Sequence, residues 1–280
     1  SMGHSYSVEN IGRMRNKGFE FTVEGKVINT SDFQWNLSAN ISADKNKVLE
    51  LAEGVPYKLN YDADRNLQKE GNLWVGKPRN SIYIWKTGGI AREEDMERLN
   101  AIDWAGYIVN PGDLYPQDIS GPNGVPDGKM DIYDRVLIDA DPDFYGGFAT
   151  DFTYKGFTLN AAFTYSYGAK KLSYLYESMI GSTGRGFTSV DLLDRWTPEN
   201  TGAKFPRPII NDPLGSSYST FSAGHMDHSV QDASYLRLST LTLVYTLPSK
   251  VTQNLKLGSV RFYTTASNVF CITPYKGYDP

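Results

Sequence analysis

Three observations predict an all-β, antiparallel chain: long stretches of strict apolar/polar alternation, turn chemistry between them, and joins of two very different lengths. Residues 33 to 43 put Phe33, Trp35, Leu37, Ala39, Ile41 and Ala43 on one parity and Gln34, Asn36, Ser38, Asn40 and Ser42 on the other. Residues 157 to 167 repeat the pattern, with Phe157, Leu159, Ala161, Phe163, Tyr165 and Tyr167 opposed to Thr158, Asn160, Ala162, Thr164 and Ser166. Period two is the spacing of a strand. The polar parity is small and uncharged, whereas the outer face of a soluble sandwich usually carries Lys and Glu. Asn, Ser, Thr and Gln suit a lumen or a crowded polar interior, so the pattern raises a transmembrane β-barrel wall.

In chain order, segment 18 to 28 meets segment 33 to 43 through the polar turn Asn29-Thr30-Ser31-Asp32. Segment 147 to 154 meets 157 to 167 through Lys155-Gly156, a two-residue hairpin turn. Segment 235 to 247 joins 259 to 272 through Pro248 and a modest polar link ending at Gly258. The stretches from about 44 to 146 and from 168 to 232 are long, irregular and rich in Gly, Pro, Asp and Tyr. Short turns at one end and long excursions at the other are the asymmetry of outer-membrane barrels; a compact globular domain rarely needs loops of that length. Two short helices are expected within the excursions. One covers 92 to 101, and the other 189 to 196, where Thr188 and Asp191 are placed to form a capping box ahead of Leu192, Leu193 and Trp196.

The 280 residues suffice for one large domain or two ordinary ones, and 13% aromatic content with 19 Tyr and 26 Gly suits a turn-rich β chain. A net charge of −4 without a Lys/Arg run argues against nucleic acid as partner. No apolar run approaches the ~20 residues of a membrane helix, and a mean hydropathy of −0.42 is compatible with strands apolar on one face only. Cys271 cannot form an internal disulfide and reads as a buried small hydrophobe. Ser1-Met2-Gly3-His4-Ser5 has no basic start followed by an apolar core. That start fits either a cytoplasmic chain or one whose true N-terminus lies further upstream.

One segment concentrates metal-ligand chemistry: Asp118-Ile119-Ser120-Gly121, then residues 122 to 126, then Asp127-Gly128-Lys129-Met130-Asp131-Ile132-Tyr133-Asp134-Arg135. With 122 to 126 taken as an insertion, Asp118, Ser120, Asp127, the Lys129 carbonyl, Asp131 and Asp134 follow the order of a calcium loop. The competing reading is a surface loop held by Asx-turns. A cation there would stiffen the loop, since no open catalytic position is offered. His225 and His228 flank Asp227 without a third zinc ligand in reach, and no carboxylate pair or phosphate-binding glycine pattern is singled out. Tyr174, Tyr176, Trp196 and Tyr218, with Phe221, are candidates for stacking on a sugar or peptide, against the alternative of loop-on-loop packing.

Several motifs occur in one order along nearly the whole chain. They are residues 10 to 20 from Asn10 to Glu20, Asp44-Lys45-Asn46-Lys47-Val48, Val75-Gly76-Lys77-Pro78, and Pro111-Gly112-Asp113 leading into the Asp/Gly loop. After them come Arg195-Trp196-Thr197-Pro198-Glu199-Asn200, Ala233-Ser234-Tyr235-Leu236-Arg237-Leu238, Tyr245-Thr246-Leu247-Pro248, Ser267-Asn268-Val269-Phe270 and Tyr275-Lys276-Gly277-Tyr278-Asp279-Pro280. Together they resemble the SusC/RagA-type TonB-dependent outer-membrane transporters of Bacteroidetes. The resemblance implies that residues 1 to 280 are part of a 22-stranded barrel, with the plug and N-terminal domains absent from this sequence. It implies import of glycans or peptides with a SusD-like lipoprotein lid, energy from the TonB complex through the plug, and no enzymatic activity. Members often carry Asp-x-Asn-Gly-Asp-Gly-x-Ile-Asp-x-x-Asp-Arg at the loop; here Ser120 replaces Asn and five residues follow Gly121. No cofactor is required on this reading, and a structural calcium at the Asp/Gly loop is a candidate only. The parities then point Trp35, Leu37, Phe157, Leu159 and Phe163 to lipid and Asn36, Ser38, Asn40, Thr158 and Asn160 to the lumen. The rival of another class is a soluble β-rich carbohydrate-binding or hydrolase domain.

Overall fold

Six long strands form one antiparallel sheet in sequence order: β1 (Gly12–Asn29), β2 (Phe33–Leu51), β3 (Phe144–Tyr154), β4 (Phe157–Tyr167), β5 (Tyr235–Thr246) and β6 (Arg261–Ile272). The computed structural model describes residues 12–280 apart from 107, 182–187, 208–225 and 255. All six expected strands are present. The first two run further than their apolar alternation: Gly12 to Lys17 pairs with Lys45 to Leu51, where most side chains are polar. A backbone ladder needs no apolar face where both faces meet water.

The register sorts residues into transverse rows. One row reads Ile28, Trp35, Phe152, Leu159 and Leu243, ending on Thr264; the next reads Lys26, Asn36, Asp151, Asn160, Thr242 and Thr265. Neighbouring rows point to opposite faces. The apolar face also carries Phe33, Tyr154, Phe157, Tyr245 and Phe262 side by side at the end of the short joins. Phe157 and Tyr245 stack there with ring centroids 4.4 Å apart. At the other end Phe144 stacks on Tyr167 at 5.0 Å. Between those two aromatic ends the charged residues Glu20, Glu24, Lys26, Asp151 and Arg237 all lie on the opposite face. Phe157 to Tyr167 is ten steps, about 34 Å along the strand and about 26 Å when tilted by about 40°, the height of a barrel's apolar band.

The joins explain the meander. Lys155 and Gly156 both take positive φ, 46° and 86°, the type I′ geometry whose twist matches the flanking strands. The Thr30 hydroxyl accepts from Phe33 N at 3.0 Å and donates to Phe33 O at 2.8 Å, closing the β1–β2 turn. Between β5 and β6, Pro248 starts a helical turn, α3 (Ser249–Asn254), where a plain polar link was expected.

The core lies outside the sheet. Buried apolar side chains gather in the excursions, around Ala91, Leu99, Trp104, Leu114, Met130 and Met226, around Ile82, Ile84, Ala140 and Leu172, and around Tyr176, Ile180 and Leu192. Among the described residues of the six strands, by contrast, only Val48, Leu51 and Leu238 are buried apolar positions. Short pairings such as Ser81–Trp85 with Arg135–Asp139 and Lys170–Leu172 with Val230–Asp232 frame these clusters.

The helix at 92 to 101 is present as a 3-10 turn (Glu93–Asp95) running into α1 (Met96–Asn100). The one at 189 to 196 is a shorter 3-10 turn, Val190–Asp194. Its cap is Ser189, which accepts from Asp191 N at 3.2 Å, so the expected Thr188 box is corrected. Helix α2 (Tyr174–Gly181) was not anticipated. Cys271 is exposed on the polar face of β6, correcting its expected burial.

Candidate functional site

The motifs that follow one another in the sequence are spatial partners. Val48 donates to Lys77 O at 2.9 Å and accepts from Gly76 N at 2.8 Å, which pins Asp44–Val48 to Val75–Pro78. Gly112 O accepts from Arg207 N at 2.9 Å. A Cβ on Gly112 would lie 2.4 Å from Trp196 Cε3, so the indole sits directly on that glycine. Residues 273 to 280 fold back on β5: Thr273 donates to Ser234 O at 2.7 Å, and Arg237 ion-pairs with Asp279.

A cavity of about 580 Å³ opens between the two excursions and the segment after β6. Tyr176 reaches it from α2, and Lys276 from the segment beyond β6. The Tyr176 hydroxyl donates to Asp191, and the Lys276 ammonium donates to Asp191 Oδ2 at 2.6 Å and to Tyr176 Oη at 3.1 Å. Lys276 holds the Asp191 carboxyl below the usual carboxylate range, helped by Tyr176. The same contacts, Asp191 first, raise the Lys276 ammonium. Burial raises the Tyr176 phenol, with the bond to Asp191 adding to it. The ammonium also lies 4.8 Å from the Tyr176 ring centroid, covering that face.

His228 lines the same cavity from a 3-10 turn (Asp227–Ser229), positioned by Asp227 Oδ1, which accepts from Thr87 N at 2.8 Å. Both His228 ring nitrogens are shut from solvent with no hydrogen-bond partner among the described residues, and so is Thr87 Oγ1. Burial depresses the imidazole to about 4 against the opposing pull of Asp227, so it is neutral at ordinary pH.

The Asp/Gly loop is folded around its own backbone. Asp134 is wholly buried and accepts from Ile119 N at 2.8 Å, Ser120 N at 3.2 Å and Asp131 N at 2.9 Å. Asp118 accepts from Asp127 N at 3.3 Å and Gly128 N at 2.7 Å; Asp127 accepts from Lys129 N and Asp131 from Tyr133 N. The insertion 122 to 126 loops out while Asp127 packs against Gly121, so the two halves meet despite it. Burial raises the Asp134 carboxyl, and the three amide bonds oppose that shift. Among the described residues no three His, Cys, Asp or Glu side chains converge in a cation shell. Of the residues expected to ligate calcium, Asp118, Asp127, Asp131 and Asp134 accept backbone amides and the Ser120 hydroxyl donates to Gly121 O, contacts that a calcium loop and an Asx-turn loop share.

Of the aromatic candidates among the described residues, Tyr176 alone lines the cavity. Tyr174 is exposed beneath the Lys69 ammonium, 5.2 Å from its ring centroid. Trp196 is packed against Gly112 and Arg207. Tyr218, Phe221 and His225 lie outside the described residues. Sequence reasoning missed Lys276, Thr87 and Phe205, and weighed His228 as a zinc ligand or, in preference, as part of a solvated loop. Lys276 sat inside a recognised motif, but its partners are 85 and 100 positions away.

A two-faced antiparallel wall with short joins at one end and a folded loop body at the other defines a portion of an outer-membrane-type β-barrel. Over 99% of its length the chain is similar to TonB-dependent receptor P3 of Formosa agariphila, at 30% identity across 26% of that protein. It is similar over 97% of its length to TonB-dependent receptor SusC of Bacteroides thetaiotaomicron, at 26% identity across 24% of it. The chain thus spans about a quarter of the length of these relatives. No family model matches it. Among solved structures, the RagAB peptide transporter shares the fold with a TM-score of 0.72 at 24% identity, over 97% of this chain and 27% of that one. The SusC/RagA-type resemblance drawn from the ordered motifs therefore holds along nearly the whole chain, and the similar proteins are receptors and transporters.

Proposed function

We propose that this chain contributes barrel wall and outer loops to a TonB-dependent importer of glycans or peptides in the outer membrane. A SusD-like lipoprotein would close over the excursions, and the TonB complex would act through a plug supplied elsewhere in the gene product. On this reading the chain is not an enzyme. The observation that carries the proposal is the separation of faces: five aromatics in one row, six apolar rows without a charge, and Glu20, Glu24, Lys26, Asp151 and Arg237 turned the other way. A soluble carbohydrate-binding or hydrolase domain would cover one face of the sheet with a second layer. Here the sheet has almost no buried apolar residues of its own, which favours lipid as the cover.

Leu159 and Asn160 are neighbours that face opposite ways near the middle of β4. Replacing Leu159 with Arg in the full gene product should strip it from the outer-membrane fraction, since a lipid-facing charge near mid-bilayer costs roughly 2 to 4 kcal/mol. Asn160→Arg should assemble. Equal tolerance at both positions, read by fractionation and heat-modifiable migration, would overturn the barrel.

A further inference from the structure

Just beyond the last apolar row at the loop end, the apolar face of the wall turns basic. Phe19 pairs with Ala43 in that row, level with Phe144 and Tyr167. Two residues further along both strands Lys17 stands opposite Lys45, and two further again Arg15 stands opposite Lys47. A step of two keeps a side chain on the same face, so all four cations share the face of Phe19 and Ala43. The first excursion docks on the other face: Asn46 bonds to Asn16 there and accepts from Arg79 N at 3.0 Å, and Val48 is buried. Like charges directly opposite each other in a ladder are destabilising, and here two such pairs follow in succession. Little within the chain relieves them. Lys45 meets Asp143 at 3.1 Å and Asp139 at 3.9 Å, and Arg13, past the bulge, meets Glu50 at 3.4 Å. Arg15, Lys17 and Lys47 are exposed and form no ion pair among the described residues.

Resting on the outer-membrane barrel reading above, we infer that Arg15, Lys17 and Lys47 form a docking site for the phosphates of an outer-leaflet glycolipid. Depth carries the assignment. A step of two residues rises about 6.8 Å along the strand, or about 5 Å along the membrane normal at a tilt of about 40°. The hydrated headgroup layer is roughly 5 to 8 Å thick on each side of the hydrocarbon. With Phe19 at the edge of the apolar band, the two cation rows fall at headgroup level. A phosphate accepts from several donors at once and neutralises the facing like charges. Arg15 offers it a planar fork, and Lys17 and Lys47 offer compact charges on flexible stems. The acyl chains of the same lipid would run down the exposed column Phe19, Phe21 and Val23 on that face.

The test uses the full receptor purified in nonionic detergent and titrated with diphosphoryl lipid A, with the same lipid stripped of its phosphates, and with inorganic phosphate. Native mass spectrometry reads the bound species. Diphosphoryl lipid A should bind, and the stripped lipid and free phosphate should each bind at least about tenfold more weakly, since two or more cations act on the phosphates and the apolar column holds the chains. Each cation near an anionic lipid is worth about fivefold in affinity, so Arg15→Gln combined with Lys47→Gln should weaken the lipid about 25-fold. Both side chains are exposed, so the double variant removes no buried contact. Lys26→Gln, which removes a cation from the polar face, should leave the affinity unchanged. Equal binding of the stripped lipid overturns the phosphate assignment, and equal binding of inorganic phosphate overturns the lipid. No binding of diphosphoryl lipid A, binding unchanged by the double variant, or binding weakened as much by Lys26→Gln overturns the site. Each of those results leaves the barrel standing, since assembly of the same receptor is read separately by heat-modifiable migration.

Discussion

Arg207 donates from Nε to Asp113 Oδ1 at 2.8 Å, tying the two excursions together across 94 positions of sequence with both side chains out of solvent. The other Asp113 oxygen accepts from Asn110 N at 2.7 Å, which fixes the carboxylate in its turn. Breaking a buried ion pair by removing one of its partners costs about 3 to 5 kcal/mol. Asp113→Ala should therefore open both excursions to limited proteolysis while leaving the barrel's heat-modifiable migration intact. Unchanged protease resistance would mean that the pair does not join them.

Gly112 and Gly124 separate two causes of strain. Both have positive φ, 88° and 77°, but a Cβ on Gly124 meets open space whereas one on Gly112 meets Trp196. Gly124→Ala should cost about 1 kcal/mol from backbone strain alone. Gly112→Ala should cost more and displace the indole, seen as a red shift in tryptophan emission that Gly124→Ala does not produce.

The neutral His228 makes the excursions acid-sensitive. Its folded-state pKa lies near 4, below the ordinary value near 6.5, so between those values the unfolded segment binds the proton and the folded one does not. Stability should fall as pH drops from about 6.5 toward 4, by on the order of 3 kcal/mol in all. Hydrogen exchange of residues 81 to 90 and 226 to 232 should accelerate over that window in the natural protein. In His228→Phe that part of the pH dependence should vanish.

Asp134 spends its carboxylate on three backbone amides, so the Asp/Gly loop should stand without a metal. Millimolar calcium is expected to leave its protease resistance unchanged. Asp134→Asn, which turns a donor toward amide N–H groups, should loosen the loop by about 1 to 3 kcal/mol. Protection that appears with calcium and disappears with chelator would instead assign the cation.

Strand parity was legible wherever alternation is strict, as in β2 and β4, because a period of two needs no knowledge of the neighbours. In β5 it was not. The pattern Leu236, Leu238, then Leu241, Leu243, Tyr245 slips phase at Ser239, and only the register explains why one face keeps them all. A bulge at that position opposes the extra residue of β5 to the Ala162–Phe163 step of β4, and Ser239 Oγ meets Thr164 Oγ1 at 3.0 Å on the polar face. The site was less legible still. Asp118 and Asp134 read equally well as ligands or as turn caps, since both roles use the same residues at the same spacing. Which role they take depends on where the backbone amides fall.

By itself the sequence determined the two-faced strands, the tight turns and the positions of the long excursions, all properties of local spacing and of what a single residue's φ allows. Tertiary structure alone decided that the excursions fold into a body with its own cores, that Arg207 finds Asp113, and that Lys276 closes on Asp191 and Tyr176. Those contacts join residues 85 to 100 positions apart. No local pattern encodes such a pairing, because burial of charge and hydrogen-bond satisfaction are set by whatever the rest of the chain brings alongside.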